Sequence, residues 1–140
     1  MIALVVATHG QFSREIVKSA EMIFGEQENV AIITFKPGEG LNDLQNKYQK
    51  AIGELDTQDG VLFLVDLFGG SPFNAAANLI SQEENMDIIT GVNLPMLIEC
   101  FTQRGGSKLE ALVDTISQTA VNGVKSLKKT LQQSEDEEDL

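Results

Sequence analysis

The sequence has few of the histidine and cysteine residues that bind zinc or form disulfide bonds. In 140 residues it contains one histidine, His9, one cysteine, Cys100, and no tryptophan. A single cysteine excludes an internal disulfide and a CxxC motif, and the chain lacks the nitrogen and sulfur ligands that a zinc site needs. No GxGxxG motif follows the first apolar segment, which argues against a dinucleotide-binding domain. We therefore expect neither a metal nor a cofactor.

Positive charge is also scarce, because ten Lys and Arg residues face 21 Asp and Glu, for a net charge of −11. This charge repels phosphate backbones and anionic membrane surfaces, so nucleic acid is not an expected partner. No apolar run approaches the roughly 18 residues of a membrane span, and the first residues have no basic targeting region. The sequence therefore predicts a cytoplasmic protein with no direct membrane insertion.

The chain is long enough for one domain with its own core. Five consecutive acidic residues, Glu135-Asp136-Glu137-Glu138-Asp139, lie close to the carboxyl terminus. A terminal block of like charge is typical of a solvated, disordered tail. We predict one domain over residues 1–131, followed by a disordered acidic tail over residues 132–140.

Four short segments with the composition of strands alternate with helical patterns. The predicted strands cover residues 2–7, 30–35, 61–65 and 88–92. Helical spacing of apolar residues predicts helices from just after His9 to Gly25, over 41–55, from Ser71 to about 80, from Pro95 to about 103, and over 109–131, with Gly123 as an interruption. Alternation of this kind predicts an α/β fold, a mostly parallel open sheet of four strands with helices on both faces.

The candidate site lies at the ends of the first and third strands. His9 follows the first apolar run and Asp66 follows the third. Ligands of open α/β sheets bind beyond the carboxyl ends of the strands. If the two strands lie close together, Asp66 orients the imidazole and leaves its other nitrogen free as a nucleophile or base. By position alone, His9 is either such a working imidazole or a polar residue at a loop.

A glycine-rich turn, Gly69-Gly70-Ser71-Pro72, follows Asp66. Ser71 suits the N-cap of a helix and Pro72 its first position. Glycines allow close approach of the backbone, and the N–H groups at a helix start attract anions, so a phosphoryl group on His9 fits here. By itself the turn is equally compatible with the start of an ordinary helix.

Two classes of enzyme with similar strand ends are incompatible with the sequence. A histidine phosphatase has an arginine where Thr8 stands and needs a second histidine. A receiver domain carries its phosphorylated aspartate where Asp66 stands, but needs acidic magnesium ligands where this chain has Thr8 and His9.

Over nearly the whole chain to about residue 131, the sequence resembles the IIA component of the mannose family (mannose/fructose/sorbose class) of the sugar phosphotransferase system. The resemblance is carried by Ala7-Thr8-His9-Gly10, by Ala20-Glu21-Met22 with Gly25-Glu26, by residues 35–39, by the long block 61–76, and by residues 91–97.

The resemblance implies a phosphocarrier in which His9 accepts a phosphoryl group from phospho-HPr and passes it to a histidine of a IIB protein. Asp66 then matches the orienting carboxylate. Ser71, Gly70, Gly69 and Thr8 are expected to bind the phosphoryl group. A set of apolar residues near the site is expected to form a rim that contacts partners or to pack within loops, namely Phe68, Pro37, Leu94 and Met96.

The resemblance further implies a homodimer, in which a late strand can be exchanged between subunits. Residues 123–127 are the segment in which to look for it, although their helical pattern predicts a helix. Some family members continue through a linker into a fused IIB domain, whereas this sequence ends in an acidic tail. IIB is therefore expected to be a separate protein or to lie outside the given sequence, and it is linked in function to membrane IIC and IID.

Two other functions are compatible with the same residues. One is the related phosphotransfer subunit that serves dihydroxyacetone kinase. The other is a regulatory module whose partner recognises the phosphorylation state of His9. The sugar is not encoded here, since specificity lies in the membrane partners.

Overall fold

The computed structural model describes residues 1–81, 83 and 85–138. Strands and helices alternate along most of the chain. Their bounds are β1 (Ala3–His9), α1 (Phe12–Phe24), β2 (Val30–Phe35), α2 (Leu41–Glu54), β3 (Val61–Val65), α3 (Ser71–Ile80), β4 (Met86–Ile89), α4 (Leu94–Gln103), α5 (Leu109–Asn122) and α6 (Leu127–Glu138). All strand pairs are parallel, in the order β2-β1-β3-β4.

The sheet has one core on each face. Ile2, Leu4 and Val6 pack with α1, α4 and α5, whereas Ala3, Val5 and Ala7 pack with α2 and α3. Burial on both faces explains why β1 is one uninterrupted apolar run. Side chains alternate between faces along a strand, so Thr8 belongs to the face of α1 and His9 to the face of α2 and α3.

The predicted α/β fold, a four-stranded parallel sheet covered by helices, is confirmed. The strands β2 and β3 have the predicted bounds, and β1 extends two residues further, through His9. The predicted strand 88–92 is displaced, because β4 covers Met86–Ile89. Beyond Ile89 the chain crosses the end of β3, where Gly91 N–H donates to the carbonyl of Asp66 and Val92 N–H to that of Val65.

The carboxyl-terminal part differs most from the prediction. The expected helix over 109–131 is two helices, α5 and α6, and the chain between them packs closely at Gly123, where a Cβ would lie 2.8 Å from Pro95 Cγ. Residues 124–126 form no strand within this chain.

In the structure, residues 132–138 of the predicted tail continue α6, and the disorder of the tail stays a prediction. None of the residues of α6 is buried; its Leu, Lys, Gln and Glu residues favour a helix by intrinsic propensity. Residues 139 and 140 lie outside the described residues, and the domain boundary at 131 stays a prediction. Among the described helices, none combines the length and the apolar character needed to cross a membrane.

Candidate functional site

His9 and Asp66 meet because β1 and β3 are neighbours and both end at the same edge of the sheet. Asp66 Oδ2 accepts hydrogen bonds from His9 Nδ1 at 2.9 Å and from the backbone N–H of His9 at 3.0 Å. The other oxygen, Oδ1, accepts from the N–H of Leu67 at 3.0 Å. The carboxylate is therefore held by three donors and engages the Nδ1 side of the ring.

The opposite side of the imidazole is open. The His9 side chain is 44% exposed, whereas that of Asp66 is 16% exposed. An ionised carboxylate only accepts hydrogen bonds, so Nδ1 carries the proton of this contact, and in the neutral form of the ring Nε2 keeps a lone pair. The arrangement presents Nε2 as a nucleophile.

The start of α3 lies against this open side. A Cβ at Gly70 would stand 2.9 Å from His9 Cε1 and 3.6 Å from Nε2, so no side chain fits at this position. Gly70 is the N-cap of α3, in place of the predicted Ser71, which is the first helical residue with Pro72 after it. The unpaired N–H groups of a first helical turn attract anions, and Gly70, which precedes this turn, lies against the His9 ring.

Two aromatic residues that the sequence analysis missed support the site. Phe35, at the end of β2, contacts the His9 ring edge-on with the centroids 5.7 Å apart. Tyr48 on α2 donates from its hydroxyl to the carbonyl of Pro72 at 2.8 Å and so fixes the first turn of α3. Burial, and next the negative charge of Asp66, raise the pKa of Tyr48, so the phenol stays protonated and donates. The position of Phe35 at the same sheet edge was a usable signal, whereas no local pattern marks Tyr48.

The Thr8 side chain, predicted to bind the phosphoryl group, lies away from the open side of the His9 ring. Thr8 is fully buried, and its Oγ1 accepts from the N–H of Ser13 at 2.6 Å and donates to the carbonyl of His9 at 3.2 Å. Its side chain lies on the face of the sheet opposite to that of the His9 ring. The alternation of side chains along a strand was the signal that separates the two residues.

The predicted rim is only partly exposed. Phe68 is 80% exposed, Pro37 is exposed and Leu94 is half-buried, but Met96 is 1% exposed. Met96 therefore offers no surface to a partner, because its side chain packs in the core beside α5. Phe68 borders a cavity of about 620 Å³ between β4 and α5, and Leu94 borders one of about 370 Å³ beside Phe12.

The residues that the structure describes include no cluster of metal ligands and one buried thiol. Within 1–81, 83 and 85–138, no three His, Cys, Asp or Glu side chains come together to hold a metal ion. Burial raises the pKa of the Cys100 thiol to about 12, so it stays protonated and unreactive at neutral pH.

The family model of PTS system fructose IIA components matches residues 3–117. The chain belongs to this family. Among curated proteins, the chain is 47% identical over 128 residues to the PTS system mannose-specific EIIAB component of Escherichia coli strain K12, covering 91% of this chain and 40% of that protein. It is 41% identical over 116 residues to the PTS system fructose-specific EIIA component of Bacillus subtilis, covering 83% of this chain and 80% of that one.

The fold of this EIIA chain agrees with solved structures of the family. A crystal structure of phosphotransferase system component EIIA from Streptococcus agalactiae matches with a TM-score of 0.84 and 30% identity, over 92% of this chain and 99% of that one. The first curated relatives are longer, and this chain spans 40% of their length.

Proposed function

We propose that this EIIA chain carries phosphoryl groups in the sugar phosphotransferase system. In this proposal His9 Nε2 accepts the phosphoryl group from phospho-HPr and passes it to a histidine of a separate IIB protein. The observation that carries the proposal is the pairing of Nδ1 with Asp66 while Nε2 is open toward the start of α3. Family membership supports the same role.

The chemistry requires only the residues already described. The Nε2 lone pair attacks phosphorus as the bond from phosphorus to the donor imidazole nitrogen breaks, and that nitrogen recovers its lone pair. The ring of phosphorylated His9 gains positive charge, which Asp66 stabilises through the proton that remains on Nδ1. In-line approach and electrostatic stabilisation provide most of the catalysis in phosphoryl transfer.

The start of α3 is assigned to the phosphoryl oxygens. In this proposal the N–H groups of its first turn and the hydroxyl of Ser71 bind them, which is supported by the closeness of Gly70, the N-cap of α3, to the His9 ring. A helix start stabilises negative charge. Phe68 and Pro37 then form the exposed rim that partners contact, with Leu94 at its margin.

Three further features belong to the proposal and rest on the family. The chain acts in the cytoplasm, forms a homodimer, and is linked through IIB to membrane IIC and IID. Docking of HPr and IIB is transient, so their contact with the rim is expected to bury a small area.

The deciding experiment is transfer in solution. The chain is mixed with phosphoenolpyruvate, Enzyme I and HPr, and intact mass with peptide mapping is expected to locate one acid-labile phosphoryl group on His9. A purified IIB protein should then remove it. If the phosphoryl group on His9 passes to a dihydroxyacetone kinase subunit and not to IIB, the proposed acceptor is wrong. The absence of labelling on His9 would refute the proposal.

A further inference from the structure

A buried group of hydrogen bonds lies directly under His9 and takes no part in the proposed chemistry. Thr8 Oγ1 accepts from the N–H of Ser13 at 2.6 Å and donates to the carbonyl of His9 at 3.2 Å. Ser13 Oγ donates in turn to the carbonyl of Ile33 at 2.8 Å. Both Thr8 and Ser13 are fully buried. These bonds join β1, α1 and β2 at the edge that carries the site.

This arrangement replaces the usual cap of α1. The first turn of a helix has N–H groups without helical partners, and the side chain of the N-cap normally accepts from one of them. The N-cap of α1 is Gln11, whose side chain makes no such bond. The acceptor is instead Thr8, three residues further upstream, and its hydroxyl also contacts the carbonyl of His9. The start of α1 and the backbone of His9 are therefore coupled through one oxygen.

The backbone of His9 is consequently held on both sides. Its N–H donates to Asp66 Oδ2 at 3.0 Å, and its carbonyl accepts from Thr8. On the side of α3 the imidazole lies close to the backbone of Gly70, where a Cβ would stand only 2.9 Å from Cε1. A small rotation of the His9 backbone would thus change both the contact with Asp66 and the direction of Nε2.

We propose that Thr8 is a positioning residue for phosphoryl transfer, acting through the backbone of His9, and that Ser13 anchors it to β2. This inference rests on the proposed function, because the rate it controls is that of transfer through Nε2. Misplacement of a reacting group by a fraction of an ångström slows transfer without changing how a partner docks. The signature is a lower transfer rate at an unchanged KM for phospho-HPr.

The test compares four full-length chains. Thr8→Val removes the hydroxyl and keeps the branched shape, and is expected to lower the transfer rate about tenfold with less than a twofold change in KM. Thr8→Ser retains the hydroxyl and should restore the rate to within about twofold of the unsubstituted chain. Thr34→Val is the matched control, because Thr34 is paired with Thr8 on the next strand but takes no part in these bonds. Its rate should be unchanged.

A second measurement separates positioning from transfer. Nitrogen-15 NMR of the His9 ring reports the Nδ1–H bond to Asp66 without any phosphate. Thr8→Val should shift and broaden this resonance, whereas Thr8→Ser and Thr34→Val should not. If the native chain accepts no phosphoryl group, the proposed function is refuted, and the NMR comparison still decides whether Thr8 positions the His9 ring. A native rate and a native resonance in Thr8→Val would overturn the inference.

If Thr8→Val fails to fold, Ser13→Ala tests the same hydrogen bonds. Ser13→Ala keeps the N–H that Thr8 accepts from and loses only the bond to Ile33. It is expected to reduce the transfer rate about threefold, with a smaller shift of the ring resonance in the same direction. A native rate and resonance in this variant would overturn the anchoring role of Ser13, and with Thr8→Val unfolded they would overturn the inference as a whole.

Discussion

The two edges of the sheet hold their polar side chains in opposite ways. At the carboxyl edge, Asp66 engages one side of the His9 ring and the other side is open to solvent. At the amino edge, Arg104 is 2% exposed and bonds to the carbonyl oxygens of Ile2, Asn29 and Glu28. Its Nη2 also donates to the side-chain oxygen of Gln27 at 2.9 Å.

Under the proposed function, this difference separates a group that reacts, His9, from a group that stabilises the fold, Arg104. Arg104 joins the beginning of β1 to the loop before β2, and both of its terminal nitrogens are occupied by protein oxygens. His9 keeps one nitrogen unoccupied and is half exposed. Substitutions at the carboxyl edge should therefore change transfer with little effect on stability, and those at the amino edge should do the reverse.

The largest effect is expected for His9→Ala. It removes Nε2, so labelling in the Enzyme I and HPr mixture should disappear entirely. A half-exposed polar residue at a strand end contributes little to the core, and the free energy of unfolding should change by less than about 0.5 kcal/mol. Intact mass measures the first quantity and urea unfolding the second. Labelling of this variant would show that another residue accepts the phosphoryl group. An unfolded variant would show that the carboxyl edge also contributes strongly to stability and would contradict the comparison.

Arg104→Met should have the opposite profile. Methionine keeps the apolar length of the side chain, but it removes the Arg104 donors to the carbonyl oxygens of Ile2 and Glu28, whereas the carbonyl of Asn29 still accepts from the N–H of Leu4 at 3.1 Å. Buried groups without partners cost about 1–3 kcal/mol each, and a total loss of about 3 kcal/mol is expected in urea unfolding. Labelling of His9 in the folded fraction should continue at the native rate. Native stability, or a folded variant that is not labelled, would contradict the comparison.

The sheet could be predicted because its central strands are buried on both faces. β3, Val61–Val65, has no polar residue at all and was predicted with its observed bounds. β4 was displaced because the end of this strand is set by hydrogen bonds from Gly91 and Val92 to the end of β3, which no local pattern reveals. The start of α6 falls within the predicted helix 109–131, but its continuation over residues 132–138 was not predicted, because a charge pattern predicts solvation and does not exclude a helix.

The site could be predicted in part for a related reason. His9, Asp66 and Gly70 are marked by their positions at strand and helix ends, and the structure brings them together. Thr8 was expected beside the phosphoryl group because it adjoins His9 in sequence, but its side chain faces α1 in space. Tyr48 was missed because its contact with Pro72 joins residues 24 positions apart.

Gly70→Ala should have a smaller effect than His9→Ala or Arg104→Met. The added methyl group would stand 2.9 Å from His9 Cε1, so the ring must turn or the start of α3 must move away. A transfer rate lower by about thirtyfold is expected, because both changes misalign Nε2 with the first turn of α3. The matched control is Gly69→Ala, where the structure leaves open space for a Cβ but the backbone has φ +79°. That control tests strain in the turn without contact with the ring, and equal rates in the two variants would argue against a steric role of Gly70.

Asp66→Asn tests how much the negative charge beside the His9 ring contributes to the transfer rate. An asparagine oxygen can still accept from the N–H groups of His9, so the fold and the ring orientation should persist. The neutral amide no longer stabilises the positive charge that develops on the phosphorylated ring, and a transfer rate lower by about tenfold is expected. Rapid-quench labelling measures the rate, and the ring resonances of His9 show whether the orientation is retained. An unchanged rate would leave Asp66 with a purely structural role, like that of Arg104 at the opposite edge.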